Sequence, residues 1–259
     1  MKKLIFKSIN GILRPFKGRG LSNTRIGKFI YNKVFVPNKP DHVDLKGENF
    51  RLYIHKEKDI LSDGLLVERS YEPLETKTIK GLVKKGEVVI DAGANIGYYT
   101  VMLSKLVGET GKVYSFEPSK KCFRLLKKNV EVNKCDNVVL VNKALSNHNG
   151  ETSFYIHCDD HGSSSIKCTS GCKEVKVKCI KLDDYIPQEE QISLMKMDIE
   201  EAEVVALEGA EDTLKRCDKV VIEAPEDRED YWKIASLLRK ADYNISRINE
   251  GNILARKYL

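Results

Sequence analysis

The sequence predicts an α/β fold built on a doubly wound, mostly parallel sheet of seven strands. Short, nearly continuous apolar runs alternate with amphipathic helical segments, which is typical of a parallel sheet covered by helices on both faces. The length of 259 residues suits a single domain of this kind. Hydrophobic residues make up 41% and charged residues 32% of the chain, so the apolar content is sufficient for a core.

The predicted elements follow one another at regular intervals from residue 41 to the end of the chain. Residues 41–84 are expected to form a hairpin, with turns at Lys46-Gly47 and Ser62-Asp63-Gly64, and then a helix over residues 73–84. The sheet strands are predicted at 88–90, 113–116, 138–141, 192–197, 220–222, 243–248 and 252–256, and the helices between them at 97–107, 119–133, 201–215 and 227–241. Residues 151–180 interrupt this order with two alternating segments around a loop, which predicts an inserted strand pair. We therefore interpret residues 41–259 as one domain.

Positive charge is concentrated at the N-terminus. Residues 1–40 contain ten Lys or Arg and no Asp or Glu, whereas the whole chain has a formal net charge of +6. We interpret residues 1–40 as a basic N-terminal arm, which is either a solvated leader or a contact for an anionic surface. Polar residues interrupt the apolar start before a signal peptide forms, and no apolar run is long enough to cross a bilayer. A cytoplasmic protein is expected, with peripheral membrane association left open.

Cysteine and histidine are frequent in the predicted insertion, in residues 157–179. The chain has seven Cys, an odd number that does not fit a disulfide framework, so reduced thiols are expected. Cys168 and Cys172 have the spacing of structural zinc ligands, but no second pair accompanies them. The sequence therefore favours a loop that orders over the ligand site, and no metal site is predicted.

The turn after the first sheet strand is the candidate cofactor site. In an open parallel sheet the ligand lies beyond the carboxyl ends of the strands, where backbone must approach it closely. Gly93 and Gly97 are expected to give this access. Asp91 is expected to anchor the turn or bind an amino group, while amides at the helix start bind a carboxylate. Glu117, twenty residues after Gly97, ends the second strand, where its carboxylate can accept hydrogen bonds from both ribose hydroxyls.

A nicotinamide dinucleotide site is the natural alternative, because it uses an acidic residue at the same place. Its fingerprint G-x-G-x-x-G has a middle glycine that admits the pyrophosphate. In this chain the middle position holds Asn95. The pattern therefore disfavours a nicotinamide-dependent oxidoreductase.

Four motifs, in order, resemble the FkbM-type methyltransferases. They are Val-Ile-Asp91-Ala-Gly-Ala-Asn-Ile-Gly-Tyr-Tyr-Thr100, Phe-Glu117-Pro118, Ala144-Leu-Ser, and Met-Lys196-Met-Asp198-Ile-Glu200-Glu-Ala-Glu203 with Leu207-Glu-Gly209. The likeness runs from about Tyr71-Glu72-Pro73 to about Ala241. It implies a class I, Rossmann-like methyltransferase fold that transfers a methyl group from S-adenosylmethionine to a hydroxyl of a sugar, glycan or other small molecule.

The resemblance also implies roles for individual positions. The turn residues would line the methionine end of the cofactor, Glu117 the ribose and Ala144 the adenine; the turn residues are Asp91, Gly93, Ala94, Asn95 and Gly97. The family commonly has glycine where this chain has Glu201. The resemblance therefore implies a turn of different shape beside the acceptor.

Three polar residues alternate with apolar ones at the carboxyl end of the fourth strand. Lys196, Asp198 and Glu200 are expected to share the face toward the ligand. A carboxylate there is a candidate base for a hydroxyl acceptor if burial raises its pKa. The alternative is structural: an ion pair between Lys196 and Asp198, with Glu200 capping the following helix. Glu203 lies a turn further along the helix, so it is expected to affect turnover much less, unless Glu201 redirects the turn.

Both the candidate base and the function have alternatives. Glu223, at the end of the fifth strand, is a further candidate base, followed by His157 and His161 of the insertion. A nucleic-acid-directed methyltransferase or binder that uses the basic arm is the alternative function. It is less favoured because the aromatic residues of the arm form no known stacking motif.

Overall fold

The structure is a computed structural model that describes residue 29 and residues 31–157, 164–165 and 172–257. The strands are β1 (His42–Leu45), β2 (Phe50–Tyr53), β3 (Val88–Ala92), β4 (Lys112–Phe116), β5 (Val138–Val141), β6 (Ala144–Leu145), β7 (Gly150–His157), β8 (Ser164–Ser165), β9 (Cys172–Ile180), β10 (Leu194–Met197), β11 (Lys219–Glu223), β12 (Tyr243–Arg247) and β13 (Asn252–Lys257). The helices are α1 (Ile60–Glu68), α2 (Pro73–Leu82), α3 (Tyr98–Val107), α4 (Lys120–Val132), α5 (Glu203–Glu208), α6 (Glu211–Lys215) and α7 (Tyr231–Lys240).

The central sheet has seven strands in the order β12, β13, β11, β10, β3, β4, β5. Strands β5, β4, β3, β10 and β11 are parallel, whereas β13 runs antiparallel to β11 and β12. The predicted doubly wound, mostly parallel fold is confirmed. The chain order reverses between β3 and β10, so a crevice opens where the carboxyl ends of these two strands meet.

The core lies on both faces of this sheet because successive strand residues point to opposite sides. Val89 of β3 and Leu194 of β10 pack in one buried cluster, whereas Ile90 and Met195 pack in the other. All four side chains are fully buried. This burial on both faces explains why the strands have continuous apolar runs and not an alternating pattern.

The N-terminal segment contains the predicted hairpin, β1 and β2, and one helix that was not predicted. Helix α1 covers Ser62-Asp63-Gly64, which the sequence analysis assigned to a turn. Asp59 caps this helix, since its carboxylate accepts hydrogen bonds from the amide and the hydroxyl of Ser62 at 3.4 and 2.8 Å. The turn-forming residues therefore begin a helix, whose Leu61, Leu65 and Leu66 are buried.

The last part of the predicted arm packs against the domain. Residues 31–38 form two short helical turns, in which Phe35 is buried. Lys39 is also fully buried, pairs with Asp63 of α1 and donates a hydrogen bond to the carbonyl of Glu57 at 2.5 Å. Residues 1–28 and 30 lie outside the described part of the chain. Among the described residues, no helix is long and apolar enough to cross a membrane.

The insertion is larger than the predicted strand pair. Strands β7 and β9 form that pair, and the two-residue strands β6 and β8 extend it to a four-stranded sheet in the order β6, β9, β7, β8. The extension forms because β6 follows β5 closely along the chain and runs parallel to β9. Cys168 and His161 fall outside the described residues, as do the side chains of His157 and Cys172.

The helix predicted over 201–215 is two short helices, α5 and α6, interrupted at Gly209 and Ala210. At Gly209 the backbone comes so close to the main chain of Ser146 that a Cβ atom would lie 2.0 Å from its carbonyl oxygen. The contact joins the junction of α5 and α6 to the residue that follows β6. Helical periodicity in the sequence carries no signal for such a tertiary contact.

Candidate functional site

A cleft opens at the carboxyl ends of β3 and β10. Seven of the ten residues proposed from the sequence line it: Gly93, Ala94, Asn95, Glu117, Lys196, Asp198 and Glu200. Ala144 lines an adjoining pocket, which shares Gly93, Pro118, Phe154 and Ile199 with the cleft. Asp91 and Gly97 lie behind this surface, since they line neither cavity. The predicted residues are therefore brought together, although not all of them face the same space.

The glycines of the turn are required mainly by contacts within the protein. Gly93 has φ +81°, and a Cβ there would lie 1.7 Å from the carbonyl oxygen of Asp198. Gly97 has φ +94°, and a Cβ there would lie 2.7 Å from Leu126 of α4. Asn95 between them also has a positive φ, 50°. The glycines were expected to let the backbone approach a ligand closely. In the structure they let the β3 turn approach the end of β10 and helix α4.

The amides of this turn are also used within the fold. Gly93 and Ala94 both donate to the carbonyl of Phe116 at 3.0 Å, and Gly97 donates to that of Ala94 at 2.8 Å. The Asn95 amide donates to Oε2 of Glu117 at 2.8 Å. These four amides are not available to a ligand carboxylate. The first turn of α3, whose amides have no intrahelical acceptor, is the remaining candidate.

Glu117 joins β4 to the turn. Its Oε1 accepts a hydrogen bond from the Ser119 amide at 2.8 Å, and its Oε2 accepts the one from Asn95. A carboxylate has roughly four acceptor positions, so about two remain for ligand hydroxyls. Burial raises the pKa of Glu117 to about 7, although the amides of Ser119 and Asn95 oppose the shift. Hydroxyl donors from a ligand would favour the ionised form further.

Asp91 anchors the turn, one of the two roles left open by the sequence. It is fully buried, and its Oδ2 accepts a hydrogen bond from the hydroxyl of Thr100 at 2.5 Å. Its Oδ1 is buried without a hydrogen-bond partner among the described residues. Burial raises the pKa of Asp91, and the positive charge of Lys196 opposes this shift.

Lys196 is a buried ammonium held by carboxylates. Its Nζ lies 3.1 Å from Oδ2 of Asp198 and 4.8 Å from the centre of the Tyr99 ring. Burial alone lowers the pKa of Lys196, but Asp198, Asp91 and Glu72 outweigh it and raise the pKa above its usual value. Lys196 is therefore charged at neutral pH and cannot act as a base. The ion pair with Asp198, which was the structural alternative, is present.

The turn after β10 is held in a strained conformation. Glu200 and Glu201 have φ values of 53° and 71°, in the left-handed region that favours glycine. Glycine adopts such a φ without strain, so the backbone at Glu201 has a conformation that a glycine there could also adopt. Helix α5 begins only at Glu203, with Ala202 as its N-cap, so Glu200 does not cap it as the structural alternative expected.

Glu203, which was expected to affect turnover much less than Asp198 or Glu200, is closely tied to the turn that carries them. Its side chain is fully buried, and its Oε1 accepts a hydrogen bond from the Ile199 amide at 3.1 Å. Its Oε2 pairs with Arg228 at 2.6 Å, and Arg228 also pairs with Asp230. Burial raises the pKa of Glu203, while Arg228 lowers it. Glu203 thus fixes the turn that carries the candidate catalytic carboxylates.

Glu223, at the end of β11, stands next to these carboxylates. Burial raises its pKa to about 8, with further contributions from the negative charges of Asp198, Glu200 and Glu203. The raised pKa favours the protonated form of this carboxyl group. It does not line the cleft, so its effect on a ligand would pass through Asp198.

Several residues at the site were not predicted from the sequence. Tyr71, Tyr99 and Phe154 line the cleft, and Glu72 accepts a hydrogen bond from the Tyr99 hydroxyl at 2.8 Å. The only signal for Tyr71 and Glu72 was their place at the start of the family likeness. Among the described residues no group of three metal-ligating side chains is brought together.

Comparison with known proteins agrees with this geometry. The strand order and the single antiparallel strand β13 define a class I methyltransferase fold. Residues 91–245 match the model of the methyltransferase FkbM domain, which is more than half of the chain. The chain belongs to the FkbM methyltransferase family.

Individual relatives are distant. "Methyltransferase 1" of Beauveria bassiana is 22% identical over 181 residues, which cover 61% of this chain and 72% of that protein. A probable cobalt-precorrin-6B C(15)-methyltransferase (decarboxylating) of Saccharolobus solfataricus is 36% identical over 84 residues, 29% of this chain and 42% of that protein. A SAM-dependent O-methyltransferase from Thermotoga maritima superposes with a TM-score of 0.48 and 12% identity, over 76% of this chain and 71% of that chain.

Proposed function

We propose that this protein is an S-adenosylmethionine-dependent O-methyltransferase that acts on a hydroxyl of a sugar, glycan or other small molecule. The observation that carries the proposal is Glu117, which is fixed to the β3 turn by the Asn95 amide and still faces the cleft. Family membership supplies the class of reaction. The fold and the acidic residue alone would suit several nucleotide ligands.

The residues present fit the cofactor. Glu117 would hold the ribose with its remaining acceptor positions, and the adjoining pocket with Ala144 and Phe154 would hold the adenine. The methionine carboxylate would meet the amides of the first turn of α3, since those of the β3 turn are engaged. Asp91 would act behind the surface, by holding the turn through Thr100.

The chemistry then requires alignment of the acceptor and removal of its proton. When bound, S-adenosylmethionine supplies a methyl group activated by the positive sulfonium sulfur. Asp198 is the first candidate base, because it lines the cleft, its side chain is 25% exposed, and Lys196 holds its carboxylate at 3.1 Å. Glu200 is the second, since it lines the same cleft. Lys196 is a positioning residue for Asp198.

Calorimetry with S-adenosylhomocysteine tests the cofactor site. Glu117→Ala is expected to weaken binding by tenfold or more, because the ribose loses its acceptor and the turn loses a hydrogen bond. Glu131→Ala is the matched control, since Glu131 is exposed near the far end of α4, roughly 14 Å along that helix from Cys122, which lines the cleft. Unchanged affinity in Glu117→Ala, or no binding to the wild-type protein, would contradict the proposal.

Transfer of radiolabelled methyl from S-adenosylmethionine tests the acceptor class. A panel of hydroxyl-bearing sugars and glycans is expected to be labelled, and RNA and DNA are not. Asp198→Asn keeps the shape of the side chain and is expected to lower turnover on the best acceptor by about 10²-fold without loss of cofactor affinity. Labelling of RNA alone would favour the nucleic-acid alternative. Near-wild-type turnover of both Asp198→Asn and Glu200→Gln would place the base elsewhere.

A further inference from the structure

Glu72 lies outside residues 91–245, the part of the chain that the family model matches. It comes from the N-terminal segment and immediately precedes helix α2. Its Oε2 accepts a hydrogen bond from the hydroxyl of Tyr99 at 2.8 Å. Tyr71 and Tyr99 both line the cleft, so Glu72 is tied directly to the cleft wall.

The backbone of Glu72 is strained. Its φ and ψ angles are 41° and 70°, in the left-handed region that non-glycine residues seldom adopt. Such strain persists only where the surrounding contacts impose it, and it is enriched at functional sites. Here the imposed conformation starts α2 and brings an ionisable side chain to the Tyr99 hydroxyl.

Glu72 also belongs to a group of charges in which the carboxyl groups outnumber the ammonium. Three carboxyl groups, those of Glu72, Asp91 and Asp198, act on the single ammonium of Lys196. The Lys196 Nζ lies over the same Tyr99 ring whose hydroxyl binds Glu72. One Asp91 oxygen has no hydrogen-bond partner among the described residues. When all four groups are ionised, the carboxylates therefore exceed the ammonium, and a cation in the cleft would offset the excess.

We propose that Glu72 is a positioning residue whose carboxylate makes the cleft selective for a positive charge at the sulfur position of the cofactor. The proposal rests on the proposed function. S-adenosylmethionine carries a positive sulfur, whereas S-adenosylhomocysteine has a neutral one and is otherwise alike except for the methyl group. The charge of Glu72 would therefore strengthen the binding of S-adenosylmethionine relative to that of S-adenosylhomocysteine. It would affect less the binding of the groups that both molecules share.

The charge on Glu72 depends on its neighbours. Burial raises the pKa of Glu72, and Asp198 raises it further, whereas Lys196 and the hydroxyls of Tyr99 and Tyr71 lower it. Removal of the Tyr99 hydroxyl should therefore leave more of the Glu72 carboxyl protonated. Tyr99→Phe is expected to shift the affinity ratio in the same direction as Glu72→Gln, but by less.

Calorimetry with three probes tests the inference: S-adenosylmethionine, S-adenosylhomocysteine, and sinefungin, which carries an amine in place of the methylated sulfur. In Glu72→Gln, affinity for S-adenosylmethionine and sinefungin is expected to fall about fivefold or more relative to S-adenosylhomocysteine, the effect of one unit charge at short range. The amide keeps the size of the side chain. Glu131→Gln removes a charge far from the cleft, and its affinity ratios are expected to match those of the wild type.

The outcomes separate a charge effect from a structural one. An equal loss for all three probes, or no change for any of them, overturns the inference and leaves the proposed function intact. If Glu72→Gln does not fold, as judged by its thermal melt, Tyr99→Phe decides, and a wild-type affinity ratio in that variant overturns the inference. If the wild-type protein binds none of the probes, the proposed function fails and the inference fails with it.

Discussion

Glu203 provides the most direct test of how the site is held together. The perturbation is Glu203→Ala, which removes a buried carboxylate that binds the Ile199 amide at 3.1 Å and Arg228 at 2.6 Å. The loss leaves the Ile199 amide without its acceptor and Arg228 with one partner fewer. Both groups lie next to the turn that carries Asp198 and Glu200, so stability and cofactor binding should change together.

The magnitude follows from these two contacts. A buried donor left without an acceptor costs about 1–3 kcal/mol. Breaking a buried ion pair costs about 3–5 kcal/mol, but the cost is smaller here, near 2 kcal/mol, because Arg228 is 16% exposed and keeps Asp230. The total is about 3–5 kcal/mol, which for a chain of this size lowers the melting temperature by roughly 6–20 °C.

Chemical and thermal denaturation measure this loss, and calorimetry with S-adenosylhomocysteine measures its effect on the cleft. Glu208→Ala is the matched control on the same helix. Its carboxylate is partly exposed and pairs with the exposed Lys233 at 2.8 Å, so its removal should cost under about 1 kcal/mol. A loss below about 1 kcal/mol in Glu203→Ala, similar to that in the control, would refute the assigned role.

Three further predictions concern charge, strain and the arm. The pKa of Glu223 is raised to about 8, so the folded protein holds this proton more tightly than the unfolded chain, and its contribution to stability falls as pH rises from about 4.5 to 8. Glu223→Gln should therefore shrink the difference in melting temperature between pH 5 and pH 8.5. An unchanged difference would contradict the pKa shift. Glu201→Gly relieves a left-handed φ of 71°. The variant is expected to raise the free energy of unfolding by about 0.5–1 kcal/mol, because the relief of about 1–2 kcal/mol exceeds the entropic cost of glycine. A lower free energy of unfolding, measured by chemical denaturation, would argue against strain at that position. Deletion of residues 1–28 spares the packed residues 31–39. It should abolish salt-sensitive sedimentation with anionic vesicles and leave S-adenosylhomocysteine affinity unchanged. If the full-length protein does not sediment with these vesicles at low salt, the arm does not contact an anionic membrane.

The sequence by itself determined the sheet and the location of the cleft. Continuous apolar runs such as 88–90 and 220–222 predict strands buried on both faces, because the pattern follows from local geometry and burial. The Gly93 turn and Glu117 are separated by one helix and one strand. Parallel strands place their carboxyl ends at one edge, so the approach of these two residues could be predicted before any contact was seen.

Only the tertiary structure decided what the individual side chains contact. Gly93 is required by the Asp198 carbonyl, and Glu203 is held by Arg228, 25 positions further along the chain. Glu72 reaches Tyr99 only because α2 packs against the domain, and α1 replaced a predicted turn because Asp59 caps it. These contacts depend on the distance and angle between packed elements. Neither composition nor periodicity encodes them, because each pattern reports only on neighbours along its own strand or helix.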